Sequence, residues 1–341
     1  MSLFENTRAA APAVAGQPLV EVENLEVRFV SRESTVHAVN NVSFSLMPGE
    51  VMCIIGESGS GKSVTMRALM RLHPPNKTRM TGKMTFRGRD VLSMSKKELA
   101  AMRGGDMSMI FQEPMTALDP VYTVGDQIAE TVMVHEGCTK EAALARALEL
   151  LEFVRVPSAE RRLKAYPFEL SGGLRQRAMI AMALSCKPSL LLADEPTTAL
   201  DATVQIQVLI LLRKLQAEMG MGVIFVTHDL GVAAQIADKV AVMYAGRIVE
   251  MGSVREVLTN PQHPYTQGML ASTVHGQDRD TDIEAIPGSP PDMRRLAKGC
   301  SFAPRCSQAV EACRLAQPPE VKPSPGRLVK CIHAGPSVAT T

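Results

Sequence analysis

Residues 56–63 read GESGSGKS and follow the short apolar run EVMCII at 50–55. Glycines at 56, 59 and 61 free the backbone to turn tightly, so that successive amide N–H groups can point at one anion. The pattern G-x-x-x-x-G-K-[ST], set between a strand and a helix, is that of a phosphate cradle. In that reading Gly56, Ser58, Gly59, Ser60 and Gly61 wrap the phosphates of a nucleotide. Lys62 neutralises the β- and γ-phosphates, and Ser63 ligates Mg²⁺. The plain alternative is a glycine-rich turn, which the strand–loop–helix order disfavours. A second chemical group is LLLADEP at 190–196, an apolar strand that ends in two acids. Asp194 would hold Mg²⁺ through water, and Glu195 would polarise an attacking water. Two acids at a strand end are often merely solvated; in a chain that also carries a phosphate cradle they acquire a use. LSGGLRQR at 170–177 then places Ser171, Gly172 and Gly173 at the start of another helix, a second anion-binding terminus. One nucleotide in a compact monomer does not reach both termini without special geometry.

These groups need strands and helices to hold them. LVEVENLEVRFV at 19–30 alternates apolar and polar residues as a half-buried strand does, and NVSFSL at 41–46 repeats the pattern. EVMCII, SLLLA at 189–193 and GVIFV at 222–226 are short continuous apolar runs that suit buried parallel strands. Between them lie helical periods: Leu144, Leu148 and Leu151 follow i, i+4, i+7, and so do Val204, Val208, Leu211 and Leu215. Strands alternating with helices predict an α/β core with a parallel sheet. The stretch 113–176 is rich in helix signal and poor in strand signal, as an inserted helical subdomain would be. DKVAVMYAGRIVEMG at 238–252 reads as a strand pair with Gly246 in its turn. Residues 1–18 read as a loose tail, and 275–296, rich in Pro, Gly and Asp, as a linker.

With FQEP at 111–114, ALD at 199–201 and VTHD at 226–229, six motifs stand in one order across residues 19–260, and together they resemble the ATP-binding-cassette (ABC) ATPases. The resemblance implies a P-loop NTPase fold with a RecA-like parallel-sheet core, an N-terminal antiparallel β-subdomain and an inserted helical subdomain. It implies that Gln112 approaches Mg²⁺ and the attacking water, that His228 holds the γ-phosphate, and that Phe29 stacks on adenine, although aromatic core packing suits Phe29 nearly as well. It further implies that Ser171, Gly172, Gly173, Gln176 and Asp201 serve the ATP bound by a partner subunit, and that 113–170 docks membrane proteins. NPQHPYTQGML at 260–270, IPGSPPD at 286–292 and GCSFAPRC at 299–306 resemble the C-terminal region of oligopeptide and dipeptide importer ATPases, and FQEPMTALDP is closer to the D-type member of their unlike pair. The implied partners are a second, unlike ATPase subunit, two integral permease subunits and an extracytoplasmic substrate-binding protein. The implied place is the cytoplasmic face of the bacterial plasma membrane. Nickel, opine and glutathione importers use similar ATPases, so cargo stays open. His263 and Tyr265 read as a packed turn with satisfied polar tips.

Composition agrees with this class. The 341 residues are 45% hydrophobic and 21% charged with net charge +2, which gives no case for whole-chain nucleic-acid binding. No apolar run reaches the roughly 18–20 residues of a membrane span. Without an export signal the chain is expected in the cytosol, where seven cysteines stay reduced. Four of them, Cys300, Cys306, Cys313 and Cys331, fall in a loop-rich tail (261–341) with spacing C-x₅-C-x₆-C-x₁₇-C, unlike the C-x₂₋₄-C pairs of common zinc sites. Spacing leaves Zn²⁺ and an iron–sulfur cluster open; the importer resemblance implies [4Fe–4S], with Zn²⁺ as the alternative. Cys53, Cys138 and Cys186 sit singly in apolar settings and read as packing residues.

Overall fold

The computed structural model describes residues 16–113, 117–198, 200–272 and 285–335. Most of the expected tail, residues 1–15, lies outside them, as do Pro114 of FQEP, Ala199 of ALD and residues 275–284 of the expected linker. In chain order the elements begin β1 (Val20–Val30), β2 (Thr35–Leu46), β3 (Val51–Ile55), α1 (Lys62–Leu69), β4 (Thr78–Phe86), β5 (Arg89–Asp90), α2 (Lys96–Met102) and β6 (Met107–Ile110). There follow α3 (Val124–Glu136), α4 (Lys140–Phe153), α5 (Ala159–Leu163), α6 (Gly172–Leu184), β7 (Leu190–Asp194), α7 (Ala202–Met219) and β8 (Gly222–Thr227). The last are α8 (Leu230–Ile236), β9 (Lys239–Tyr244), β10 (Arg247–Ser253), α9 (Val254–Thr259), α10 (Pro264–Ala271), α11 (Glu311–Leu315) and β11 (Leu328–Val329). Two compact units result. One holds Met47–Glu50 and Arg87–Phe225, the other Val20–Leu46, Val51–Phe86 and the described part of Val226–Thr341.

In the second unit β1 pairs antiparallel with β2 and with β4. Its alternation slips at Asn24, which has φ 51°, and the register shifts between Val22 and Leu25. The extra residue returns Leu25 and Val27 to the core face, both fully buried. β3 is buried along its whole length and runs parallel to β9, with Met52 opposite Lys239. β9 and β10 form the expected hairpin, closed by Ala245 at φ 47° and Gly246 at φ 75°. Two successive positive φ angles are the geometry of a two-residue turn whose twist matches its strands. Residues 226–272 and 285–335 belong to this unit together with β3 and residues 56–63.

In the first unit β6 and β7 are parallel, Met107 opposite Leu190. Three of the helices between them, α3, α4 and α6, are opened by polar caps: Thr123 accepts from the Asp126 N–H, Thr139 from Ala142, and Ser171 from Leu174. Gly137, at φ 67°, ends α3 before the short link to α4. The expected stripe Leu144, Leu148, Leu151 is displaced by one position: Ala143, Ala147, Leu150 and Leu151 are the buried residues of α4. Small alanines at the interface let α3 approach closely, which leaves Leu144 only half-buried. Among the described residues no helix is long and apolar enough to cross a membrane.

The second unit is knit by a buried ion pair. Glu250 on β10 is 0% exposed, and Arg327 reaches its Oε1 at 2.8 Å and also donates to the Asn260 carbonyl. The other contacts of the carboxylate are the backbone N–H groups of Gln262 and His263, at 2.9 and 3.0 Å. Removing the arginine strands a charge in the core. Arg327→Leu is expected to cost about 3–5 kcal/mol of stability, read by denaturant unfolding of the full chain.

Candidate functional site

The phosphate cradle sits between β3 and α1 in the second unit. Gly56 has φ 153°, and a Cβ there would collide with the Met243 carbonyl oxygen; Gly61, at φ 100°, would strike that of Ala38. Both positions therefore demand glycine. The β9–β10 turn braces the loop: the Gly246 N–H donates to the Ser60 carbonyl at 2.9 Å, and the Gly246 carbonyl accepts from the Asn40 N–H at 2.7 Å. Lys62 is 5% exposed and its Nζ donates to the carbonyls of Gly56 at 2.7 Å and Glu57 at 2.9 Å. Ser58 and Gly59 are exposed, whereas the buried Ser60 hydroxyl has no partner. Ser63 is half-buried in the first turn of α1.

Two residues from beyond 260 touch this loop. The Tyr265 hydroxyl accepts from the Glu57 N–H at 2.8 Å, and Arg305 forks onto the Glu57 carboxylate at 2.8 and 3.0 Å. His263, whose pKa burial lowers to about 4, stays neutral and caps α10 by accepting the Tyr265 N–H on Nδ1. The packed turn expected of His263 and Tyr265 is thus present, but the tyrosine tip is spent on the loop. Sequence reading missed Glu57 and Arg305. The only local signal was the place of Arg305 between Cys300 and Cys306.

Phe29 is half-buried on β1, its ring edge-on to His73 with centroids 5.2 Å apart. Exposed His228 follows the end of β8.

In the first unit β7 ends at Asp194, which is 0% exposed, and Glu195 follows at φ 46°. A left-handed non-glycine residue stores strain of about 1–3 kcal/mol and turns this side chain off the strand line. Its Oε2 accepts from the Thr198 hydroxyl at 2.9 Å and from Gln112 Nε2 at 3.4 Å. Gln112 and Glu195, expected to share a water, are therefore neighbours; Thr198 was not anticipated. Among the residues expected to face a partner's ATP, Ser171 and Asp201 already cap α6 and α7, with Asp201 accepting from the Val204 N–H at 3.0 Å. Gly173 lies so close to Val204 that a Cβ would sit 2.9 Å from its Cγ1. Gln176, on the same helix, is 1% exposed, and its Nε2 has no partner among the described residues.

The four C-terminal thiols come together. Cys300, Cys306, Cys313 and Cys331 line one cavity of about 20 Å³ with Phe302 and Ala303, and none is in a disulfide. Burial raises the pKa of Cys300, Cys306 and Cys331, and neighbouring thiolates of the set raise each further. The donors suit a thiophilic metal in kind and number. Their present arrangement is not that of a loaded site: among the described residues no group of three or more His, Cys, Asp or Glu is placed to hold a metal ion. The cavity has room for roughly one water-sized occupant, so a four-iron cube would require the side chains to part. Cys53, by contrast, is fully buried and its thiol is driven far up by burial, as expected of an inert packing residue.

A glycine loop around a lysine, acids at a strand end and a second glycine-led helix start define an ATP-binding cassette, and comparison with known proteins agrees. Residues 39–198 match the family described as ABC transporter, and 249–313 that described as oligopeptide/dipeptide transporter, C-terminal region. The oligopeptide transport ATP-binding protein OppD of Salmonella typhimurium is 49% identical over 97% of this chain and 98% of its own. The dipeptide transport ATP-binding protein DppD of Bacillus subtilis is 46% identical over 92% and 94%. A dimeric ATP-binding cassette solved in a post-hydrolysis state with ADP and Pi superposes with TM-score 0.62 at 29% identity, covering 69% of this chain and 99% of that one. The chain belongs to the ABC transporter ATPases, in the branch of oligopeptide and dipeptide ATP-binding subunits. The cassette's strand–loop–helix geometry makes Gly61 a sensitive point. Gly61→Ala is expected to destabilise the chain by about 1–3 kcal/mol and to weaken nucleotide binding, followed by thermal unfolding with and without ATP.

Proposed function

We propose that this subunit hydrolyses ATP to drive peptide import through separate membrane permeases, at the cytoplasmic face of the plasma membrane. The observation that carries the cargo is the C-terminal match at 249–313, together with near full-length relatives named for oligopeptide and dipeptide transport. Residues 19–260 act as the motor and 261–341 as an appended module. The amides of Gly56 to Gly61 cradle the phosphates, and Lys62 leaves its carbonyl partners to meet them, so the lysine exchanges one set of oxygens for another with little desolvation change. Phe29 on β1 stacks on the adenine base. The Ser63 hydroxyl, the Gln112 amide oxygen and the Asp194 carboxylate would each offer oxygen to Mg²⁺, the donor that ion prefers, and the ion would spread the charge developing on the phosphates.

Glu195 takes the proton of the attacking water, a role worth about 10²–10⁴-fold. The Thr198 hydroxyl and Gln112 Nε2 hold its Oε2 and leave its direction defined. His228 contacts the γ-phosphate. Ser171, Gly172, Gly173, Gln176 and Asp201 complete the site of a second, unlike ATPase subunit, through main-chain N–H groups where the side chains already cap helices. Exposed Val121, Tyr122, Val134 and Phe168, the last stacked on Tyr166, give the helical insert an apolar surface for the permeases. An extracytoplasmic binding protein delivers the cargo, and no nucleic acid takes part.

In a strain lacking this chain, wild-type protein is expected to restore uptake of labelled di- and oligopeptides. Lys62→Ala is expected to restore none, and Glu195→Gln to retain ATP without turnover. Peptide uptake with Lys62→Ala would overturn the motor reading, and restored nickel uptake without peptide uptake would overturn the cargo.

The convergence of four thiols supports a second reading, a [4Fe–4S] cluster at Cys300, Cys306, Cys313 and Cys331, with Zn²⁺ as its alternative. A bound cation would offset thiolates that burial otherwise keeps protonated. Anaerobically purified protein is expected to carry about four iron and equivalent sulfide per chain. Zinc without iron would assign the alternative, and neither metal would dismiss the site.

A further inference from the structure

Glu57 is the second residue of the cradle, and residues more than 200 positions away hold both its main chain and its side chain. The Tyr265 hydroxyl takes its N–H, while Arg305 grips its carboxylate through two parallel bonds. The guanidinium is itself immobilised. Its side chain is 6% exposed, Nε donates to the Pro287 carbonyl at 2.8 Å, and Nη2 also reaches the Ile286 carbonyl at 3.3 Å. It lies against the rings of Tyr244 and Phe302, at 5.8 and 6.0 Å from their centroids, within an aromatic cluster that includes Tyr265. The third group of Glu57, its carbonyl, accepts from Lys62 Nζ at 2.9 Å. One residue thus joins the C-terminal region, the loop backbone and the ammonium that meets the phosphates.

From these contacts we propose that Arg305 and Tyr265 are positioning residues for nucleotide binding. Arg305 cancels a carboxylate borne by an anion-binding loop, and with Tyr265 it fixes the peptide whose carbonyl steadies Lys62. This rests on the reading of residues 56–63 as the cradle for ATP. The physical need is plain: a glutamate in a phosphate loop repels a triphosphate, and a bidentate, partly desolvated guanidinium is the strongest available counter-charge. A cavity of about 180 Å³ lies beside Glu57–Ser60, walled by Tyr244, Pro290, Pro291 and Met293.

A merely structural arginine, holding the C-terminal region in place, differs from this in one respect. Deleting both charges restores nucleotide affinity if neutralisation matters, and does not if the ion pair is only a fastening. The test measures binding of Mg·ATP to the full-length chain by calorimetry, with thermal unfolding in parallel. Arg305→Gln is expected to raise Kd about 10-fold, the worth of one charge-assisted contact. Glu57→Gln with Arg305→Gln is expected to return Kd to within about 3-fold of wild type while unfolding stays early. Tyr265→Phe, which removes one hydroxyl, is expected to raise Kd about 3-fold and decides the matter should Arg305→Gln not fold. Wild-type affinity in Arg305→Gln or in Tyr265→Phe, or a double variant as weak as the single, would overturn the proposal. Lys62→Ala serves as the control for the underlying reading: its expected loss of ATP binding leaves the clamp as the variable under test, whereas retained binding would remove the cradle itself.

Discussion

An ammonium that is 5% exposed needs oxygen atoms around it, and Lys62 finds them in the carbonyls of its own loop. Those carbonyls face inward only because Gly56 and Gly61 adopt backbone angles that side chains resist. The same turns press the loop onto Met243 of β9 and Ala38 of β2, so strand packing and anion-binding geometry are one constraint. The lysine thus lies against the backbone rather than in water, its charge desolvated but partnered.

The C-terminal region belongs to this constraint as much as the strands do. Its residues pack in one unit with β3 and α1, its aromatic cluster houses Arg305, and its turn at His263 aims Tyr265 at Glu57. Two carboxylates organise it: the buried Glu250, satisfied by Arg327 and two backbone amides, and the half-buried Glu57, gripped by Arg305 and bonded through its N–H to Tyr265. Two of the four thiols stand close in sequence to Arg305. Cys300 and Cys306 flank Phe302 and Arg305, so the sulfur cavity and the clamp share a wall.

Legibility followed the strength of local pattern. The apolar runs of β3, β7 and β8 and the long helix α7 could be read because burial on one or all faces writes itself into composition. β4 could not, since Arg79, Gly82 and Lys83 interrupt its alternation and its middle is exposed. β6, four buried residues reading MSMI, is too short to tell from a helix turn. Asp201 and Ser171 carried a cap signal, a short polar residue before an apolar period, which the motif reading left unused. Glu57–Arg305 and Gln112–Glu195 lie outside any periodic signal altogether, for they are contacts between segments far apart in the chain.

Arg305 is made 248 residues after Glu57, so on a ribosome adding about 5–20 residues per second the loop waits roughly 12–50 s for its counter-charge. Through that interval the emerging cassette carries its glycine motif with an unanswered carboxylate. The pairing thereby ties the electrostatics of the loop to synthesis of a segment made near the end of translation. A chain ending before Arg305 would keep the motif yet lack the guanidinium that answers its glutamate.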